Sequence, residues 1–367
     1  MKIGILSMQR VENFGSVLQA YSLKKIVESI TDEKCSFMDI EKQPGDDQID
    51  IPVVDYSIEN GKKSIRRKLD KYIINRLLKY LAYKRQIAEL RTFQDTFLQL
   101  NDKSNSLFDI CVIGSDEVFN CLQPSSWGYT SQLFGNVRNA SKVFTYAASC
   151  GSTSCDQLSQ ALKVSISDAL HNLSNISVRD RNTFNFVYEI TNQEAAINLD
   201  PVVVGNFDDE IEKNNYSWTG KYCILYSYYN RFHDKEEIDK ILEFCKRNKL
   251  KLVSVFAPQY WIKNYVVLNP FEVLSFFKNA EFVITDTFHG TIFAAKYARK
   301  YSILVRESNK NKLMDLVNRL GISDHVINNI DDIDLIFDIT DDKKVIRKIE
   351  AEELCKTKQY FKQAIYE

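Results

Sequence analysis

The chain has 367 residues, and its hydrophobic content of 44% is sufficient for two packed cores of ordinary domain size. A net charge of −1 provides no general attraction for nucleic acid, so we predict no nucleic-acid partner. The apolar run from Met1 to Ser7 is too short for the core of a signal peptide, and no segment is apolar for long enough to span a membrane. The cysteines include no C-x-x-C pair, which is typical of reduced cytoplasmic thiols rather than of disulfides or zinc sites.

Strand and helix patterns alternate from the start of the chain, which predicts an α/β fold with parallel sheets. Ile3 to Leu6 is the first predicted strand, and a turn then leads to a helix from about Ser16 to Ser29 with Ser16 as its cap. Further strands are predicted at Cys35 to Ile40, Asp109 to Ile113, Lys142 to Ala147, Ile176 to Val178 and Ala195 to Leu199.

A polar stretch from Asn206 to Lys221 predicts a linker, after which the alternation restarts. The second set comprises strands at Tyr222 to Tyr226, Lys251 to Phe256, Phe282 to Ile284 and Tyr301 to Val305, and helices at Lys235 to Arg247, Pro270 to Lys278 and Lys312 to Leu320. A final helix from about Lys343 to Tyr366 is expected to pack back across both halves. The predicted organisation is therefore a domain at 1–205, a domain at 206–342 and a C-terminal helix at 343–367.

One segment of the first domain interrupts the alternation, a helical insert at about 62–100 that is strongly basic over residues 62–91. Eleven lysines and arginines stand there against Asp70 and Glu89, a net charge of +9, and apolar residues recur among them at helical spacing. Two interpretations stay open. The helix lies on an anionic membrane surface, or it is a solvated insert whose apolar stripe packs on the first domain.

The most informative stretch is residues 283–295, where an apolar strand runs through a polar turn into a helix that starts near Phe288. His289 and Gly290 lie in the first turn of that helix, where unpaired N–H groups and the helix dipole attract anions. A histidine there can bind a phosphate or carboxylate, or move a proton near neutral pH. The alternative is that His289 only caps its own helix.

Four polar corners follow predicted strands, at residues 13–16, 114–117, 177–180 and 287–290. If two parallel sheets face each other with their carboxyl edges, these corners meet in one cleft. Each corner also has a structural interpretation. Gly15 suits a tight turn, Asp116 suits a cap, and Arg179 suits an ion pair with Asp180 or Asp200.

Together these corners resemble the polysaccharide pyruvyl transferase family. The similar stretches keep their order over roughly residues 1–325. They are Asn13 to Tyr21, Val112 to Asn120, Tyr146 to Gly151, Ile176 to Asp180, Leu199 to Pro201 and Ile284 to Thr291. No single stretch is specific, but the set is.

The resemblance implies two Rossmann-like domains that face each other across a cleft, as in glycosyltransferases of the B type, with the acceptor side first and the donor side second. It implies transfer of a pyruvyl group from phosphoenolpyruvate to a sugar of a capsule or exopolysaccharide precursor, as a ketal with release of phosphate. His289 and Asp116 are then the acid and base, in an order that the sequence leaves open. The implied substrate-binding residues are Asn13, Gly15, Ser115, Arg179, Thr287, Gly290 and Lys312. Beyond phosphoenolpyruvate as donor, no cofactor is expected, and no metal is expected because no D-x-D cluster ends a strand of the second half.

The chain departs from the family pattern at two of these corners. Thr287 stands where some members have an arginine, so Arg306, Lys310 or Lys312 becomes a substitute anion contact. Phe119 stands where many members have a tryptophan, which changes the acceptor side. Among the other histidines, His233 is a candidate for the cleft, whereas His171 and His325 are expected to be peripheral.

Two further functions stay open beside pyruvyl transfer. A glycosyltransferase that uses a nucleotide sugar would have the same fold. A catalytically inactive member would bind a glycan or a partner. Because capsule precursors are often carried on a lipid, we expect a cytoplasmic protein that makes peripheral contact with the inner face of the membrane if residues 62–91 bind lipid.

Overall fold

The computed structural model describes residues 1–49, 51–52, 71–100, 107–125, 127–229, 231–340 and 343–367. The first half of the molecule is built on six strands, β1 Ile3–Leu6, β2 Cys35–Phe37, β3 Phe108–Ile113, β4 Ala140–Thr145, β5 Ser177–Val178 and β6 Ala196–Ile197. Its helices are α1 Phe14–Thr31, α2 Lys71–Phe93, α3 Gln160–Leu170 and α4 Arg181–Thr191, followed by the short α5 Pro201–Val204 and α6 Asp208–Lys213.

The second half has its own six strands, β7 Tyr222–Ser227, β8 Lys251–Phe256, β9 Asn264–Val266, β10 Phe282–Thr285, β11 Tyr301–Leu304 and β12 Val326–Ile327. Its helices are α7 Lys235–Arg247, α8 Pro270–Lys278, α9 Phe288–Tyr297, α10 Lys310–Leu320, the short α11 Ile333–Ile336 and the terminal α12 Lys343–Tyr366.

Both sheets are parallel, and both have Rossmann-like strand orders. The second sheet runs β12-β11-β10-β7-β8-β9, in which the first strand of the half lies at the centre and the order reverses beside it. The first sheet runs β2-β1-β3-β4, and backbone hydrogen bonds such as Ala148 N–H to Ser177 O extend it to the β5-β6 pair. The predicted fold class of two Rossmann-like α/β domains is confirmed.

Several predicted element boundaries in the first half are wrong, and two of them have a clear physical reason. Asn13, not Ser16, caps α1, because its side chain accepts the hydrogen bond of Ser16 N–H from an extended backbone. Strand β4 ends at Thr145 rather than at Ala147, because Ala147 adopts a left-handed φ of 48° that no strand can continue. The first correction matters for the site, since it leaves the Ser16 hydroxyl available for another partner.

The two halves share one apolar core rather than meeting at a polar hinge. Phe14 at the start of α1 packs edge-to-face on Phe256 at the end of β8, with ring centroids 5.7 Å apart. Tyr21 of the same helix packs on Phe271 of α8 at 5.2 Å. Burying these rings removes apolar surface of both halves from water, so separating the halves would expose it.

Helix α2, the described part of the basic insert, contacts both halves. Phe93 near its end packs on Tyr21 and on Phe271, at 6.0 and 4.9 Å. Lys79 Nζ donates hydrogen bonds to the carbonyl oxygens of Gln259 and Tyr260, at 2.7 and 3.1 Å. Five of the eleven cations behind the membrane hypothesis, Lys62, Lys63, Arg66, Arg67 and Lys68, lie outside the described residues. No helix in the described part of the chain is long and apolar enough to cross a membrane.

The C-terminal helix α12 makes polar contacts with both halves. The Tyr360 hydroxyl donates to Thr145 O of the first half at 2.7 Å, and Lys343 Nζ donates to Ala295 O of the second half at 2.6 Å. The predicted linker at residues 206–221 contains α6, whose Ile211 is buried in the common core. The domain boundaries at 205/206 and 342/343 stay predictions.

Candidate active site between the two sheets

The site forms where the strand order of each sheet reverses, which is where open α/β sheets bind ligands. In the first sheet the reversal lies between β1, which leads to Asn13, and β3, which leads to Asp116. In the second it lies between β7 and β10, and β10 leads to Thr287 and His289. The two reversals are in contact in the structure. A Cβ atom added to Gly15, which follows β1, would lie 2.2 Å from Nδ1 of His289, which follows β10. Gly15 therefore allows the imidazole to approach helix α1.

Asp116 is held in place by its backbone and by two side chains. Its φ of 72° lies in the left-handed region, which a non-glycine residue adopts only where the surroundings hold it there. The Ser16 hydroxyl donates to Asp116 Oδ2 at 2.7 Å, and Arg179 Nη1 lies 3.6 Å from Asp116 Oδ1. The carboxylate is thus positioned at the edge of the first sheet before any ligand binds.

Arg179 is buried among carboxylates rather than exposed to the cleft. Its side chain is 2% exposed, Nη1 donates to Asp200 Oδ2 at 3.0 Å, and the guanidinium lies 4.1 Å from the centre of the Phe288 ring. Burial acts to lower the pKa of Arg179, but the surrounding carboxylates, Asp200 first, raise it overall. The predicted role of Arg179 in substrate binding stays a prediction, and in this structure the guanidinium holds two carboxylates.

Asp200 links Arg179 to His289. Its carboxylate is fully buried, accepts the N–H of Val202 at 2.9 Å, and lies 3.6 Å from His289 Nε2 through Oδ2. Burial acts to raise its pKa, but His289, Arg179 and the Val202 N–H outweigh burial and lower the pKa to about 2. The sequence predicted Asp200 as a structural partner of Arg179 and as part of a stretch that resembles the family, but not as a site residue. The available signal was an Asp-Pro pair directly after a predicted strand.

His289 is the second residue of α9, and its imidazole is buried in the cleft. Nε2 has no hydrogen-bond partner among the described residues. The helix is capped by Thr287, whose Oγ1 accepts the N–H of Gly290 at 3.0 Å, so His289 does not serve as the cap. A Cβ atom on Gly290 would lie 2.2 Å from Thr285 Oγ1, so this glycine permits the close approach of α9 to β10.

Lys312 and Glu117 form an ion pair between the halves. Lys312 Nζ of α10 donates to Glu117 Oε1 at 2.7 Å, and the lysine side chain is 24% exposed. Burial acts to raise the pKa of Glu117, but Lys312, Asn120 and Arg179 outweigh it and lower the pKa to about 2. Ser115, another predicted site residue, is buried and donates to Ala147 O at 2.9 Å.

Several predicted alternatives lie elsewhere. Arg306 pairs with Asp286 at 3.0 Å and with Glu237 at 3.3 Å, and Lys310 is exposed beside Glu307. His233 is exposed ahead of α7 and His171 is exposed beside Ser167 O, whereas His325 is buried and stacked on Tyr301. In the described part of the chain, no group of three or more histidine, cysteine or acidic side chains is placed to hold a metal ion.

Two Rossmann-like domains with a charged cleft between their switch points define a protein of the glycosyltransferase-B architecture. The family model described as polysaccharide pyruvyl transferase matches residues 13–300, well over half of the chain. The protein therefore belongs to the polysaccharide pyruvyl transferase family, as the resemblance of its motifs predicted. Comparison with curated protein sequences finds no match.

Comparison with solved structures finds similar chains at low sequence identity. A MnaA–UDP co-structure from S. aureus is 10% identical with a TM-score of 0.47, over 100% of this chain and 98% of that one. The UDP-GlcNAc 2-epimerase of Methanocaldococcus jannaschii, in complex with UDP-GlcNAc and UDP, is 12% identical with a TM-score of 0.45, over 95% and 98% of the two chains. The glycosyltransferase SnogD from Streptomyces nogalater is 10% identical with a TM-score of 0.42, over 99% of each chain.

Proposed function

We propose that the protein transfers the pyruvyl group of phosphoenolpyruvate to two hydroxyls of one sugar in a capsule or exopolysaccharide precursor. The product is a cyclic ketal, and the leaving group is inorganic phosphate. Membership of the polysaccharide pyruvyl transferase family supports an enzyme that acts on a polysaccharide. The donor, the ketal and the precursor are our proposal.

The observation that carries the proposal is the environment of His289. A buried imidazole at the start of a helix has an Nε2 that makes no hydrogen bond with the described residues and lies 3.6 Å from the Asp200 carboxylate of the other half. Burying a polar nitrogen without a partner costs free energy, so an arrangement of this kind is typical of a site that acquires its partner with the substrate. Proton transfer to and from reacting groups is the chemistry that histidine performs most often.

The reaction needs a proton added to the methylene carbon and protons removed from two sugar hydroxyls. We assign protonation of the carbon to His289, because the ionised Asp200 supplies a counter-charge for the protonated ring. We assign the first hydroxyl proton to Asp116, which is oriented by Ser16. The first hydroxyl oxygen then bonds to the central carbon. The second hydroxyl oxygen displaces phosphate, which leaves with the second hydroxyl proton.

The anionic groups of the donor need a cation that the cleft can reach. Lys312 is the better candidate than Arg179, because its side chain is 24% exposed whereas that of Arg179 is 2% exposed. A phosphate or carboxylate that binds Lys312 competes with Glu117, whose negative charge stays in the site. The N-terminus of α9 adds a favourable dipole.

The test is phosphate release from phosphoenolpyruvate in the presence of galactose-, glucose- and mannosamine-type acceptors. We expect release that depends on acceptor, is lost in His289→Ala, persists in the control His171→Ala, and is unaffected by EDTA. Release of a nucleoside diphosphate from a nucleotide sugar, without turnover of phosphoenolpyruvate, would identify a glycosyltransferase instead. If His289→Ala and Arg179→Ala both leave the biological phenotype intact, the protein is a glycan-binding member without catalysis.

A lipid-linked acceptor and peripheral membrane contact through residues 62–91 belong to the same proposal. The test is sedimentation with anionic liposomes, using a variant in which Arg66, Arg67 and Lys68 are reversed to glutamate. We expect binding to fall in this variant and with rising salt, because the attraction is electrostatic. Unchanged sedimentation would rule out the membrane contact while leaving the pyruvyl transfer untouched.

A further inference from the structure

A cavity of about 750 Å³ lies between the two halves beside the charged site. This volume is within the usual range of small-molecule sites, roughly 300–1,000 Å³. Helix α2 and the chain segments after β7 and β8 contribute its walls. The described lining contains six aromatic side chains, Tyr80, Tyr83, Tyr228, Tyr229, Phe256 and Tyr260.

The cavity adjoins the proposed catalytic centre through two residues. Asn13 lines it, and the same residue caps α1, where Gly15 contacts His289 and Ser16 bonds Asp116. Tyr228 forms a second connection. Lys312, Glu117 and Asp116 all act electrostatically on its hydroxyl, so this side chain lies near the charged centre. A ligand in the cavity can therefore present one end to the charged centre.

The chemistry of the walls favours a sugar over a lipid chain. Five of the six rings carry a hydroxyl, and Tyr80, Tyr228, Tyr229 and Tyr260 are 44–55% exposed. Such rings offer an apolar face to the C–H face of a pyranose and a hydroxyl to its polar rim. A polyprenyl chain is matched by aliphatic walls, but the aliphatic side chains among the described lining residues are Val11, Ala257 and Pro258.

The wall formed by α2 is held in place without a ligand. Lys79 donates to the carbonyl oxygens of Gln259 and Tyr260, and Gln86 exchanges two hydrogen bonds with the backbone of Leu268, at 2.7 and 3.0 Å. Preorganised walls reduce the conformational entropy that binding must overcome. The inserted helix thus has a role that does not depend on a membrane.

We propose that this cavity is the acceptor subsite, which holds two or more sugar units of an oligosaccharide by stacking them on Tyr80, Tyr228 and Tyr229. The assignment of these sugars as the pyruvyl acceptor rests on the proposed function. Binding of the oligosaccharide itself does not, because it needs neither phosphoenolpyruvate nor turnover.

The experiment measures binding of linear di- to tetrasaccharides of galactose, glucose and N-acetylhexosamine to the full chain by saturation-transfer NMR, without phosphoenolpyruvate. We expect Tyr229→Ala and Tyr80→Ala each to weaken binding about tenfold, as loss of an aromatic anchor does at other interfaces. Tyr229→Phe keeps the stacking face and is expected to lose less. The matched control is Tyr366→Ala, a tyrosine that is 63% exposed in α12 and outside the described lining.

The outcomes separate this inference from the proposed function. Absence of binding by every oligosaccharide of the panel overturns the subsite, as does binding that both alanine variants leave unchanged. The subsite is also overturned if farnesyl phosphate or uridine monophosphate displaces a bound oligosaccharide and the tyrosine variants bind the oligosaccharide as well as the parent chain does. Tyrosine-dependent binding without phosphate release supports the subsite and rejects the pyruvyl transfer. If phosphate is released and both alanine variants leave the KM for the acceptor unchanged, the pyruvyl transfer is supported and the subsite is rejected.

Discussion

The two halves of the molecule bring opposite charges to the site. The first half contributes Asp116, Glu117 and Asp200 with one arginine, whereas the second contributes His289 and Lys312. Asp200 and Glu117 each have a partner from the other half, at 3.6 and 2.7 Å. Neither half therefore balances the charges of its own site residues. Because buried charges need partners, the site depends on the packed interface that also buries Phe14 against Phe256.

The largest expected effect comes from removing the imidazole of the second half. His289→Ala should lower kcat by about 10²–10⁴-fold, the usual contribution of a positioned acid or base. Unfolding by denaturant should show a folded protein, because Thr287 and not His289 caps the helix. The exposed His171→Ala serves as control and should retain full activity. If both variants turned over at the same rate, His289 would have no part in the chemistry.

Removing the buried carboxylate of Asp200 tests the contact between Asp200 and His289 at the residue of the first half. Asp200→Asn leaves Arg179 and His289 without their shared partner and should cost about 3–5 kcal/mol of unfolding free energy at pH 7. Because the folded pKa of Asp200 is lowered to about 2, its stabilisation is present above the unfolded value, about 3.9, and is lost as the pH falls toward 2.

Denaturant unfolding at a series of pH values measures this effect. The difference in stability between the parent chain and Asp200→Asn should be greatest near neutral pH and shrink below about pH 4. A difference that stayed constant from pH 7 to pH 3 would show that the ionised carboxylate is not its source.

Gly15→Ala adds a methyl group where helix α1 meets the His289 ring of the other half. The added Cβ would lie 2.2 Å from His289 Nδ1, so the ring must move, and a displacement of about 1 Å can lower kcat by up to roughly a hundredfold. Gly220→Ala is the control, because nothing lies near its Cβ position. Its φ of 84° is unfavourable for alanine, so this variant should lose stability but keep its kcat. Steady-state kinetics and denaturant unfolding, measured on both variants, separate a loss of kcat from a loss of stability. Equal kinetics in both variants would contradict the proposed contact.

The smallest effect is expected at the ion pair between the halves. Lys312→Met should raise the KM for phosphoenolpyruvate about tenfold, the cost of one charge-assisted hydrogen bond. Glu117→Gln removes the competing anion and should lower that KM by a few-fold. Lys310→Met, on the same helix but exposed beside Glu307, should change neither. An unchanged KM in Lys312→Met would assign the anion contact to another residue.

The fold class could be predicted from the sequence, as could the polar corners that the structure brings together. Alternating strand and helix patterns predicted parallel sheets, because hydrophobic periodicity is a local property that each segment carries. The positions of the polar corners after strands followed for the same reason, and the family membership of the chain was visible in those corners. Helix bounds such as 235–247 and 270–278 were also predicted as the structure has them.

Which charges meet depends on the tertiary structure. The sequence left Arg179 either to bind substrate anions or to pair with Asp180 or Asp200, and the structure pairs it with Asp200 and places the Phe288 ring of the other half against it. Asp200 became part of the site, and the inserted helix became a wall of the aromatic cavity, for the same reason. Electrostatic interactions and packing act through space, so burial and pairing emerge only when the chain has brought distant segments together.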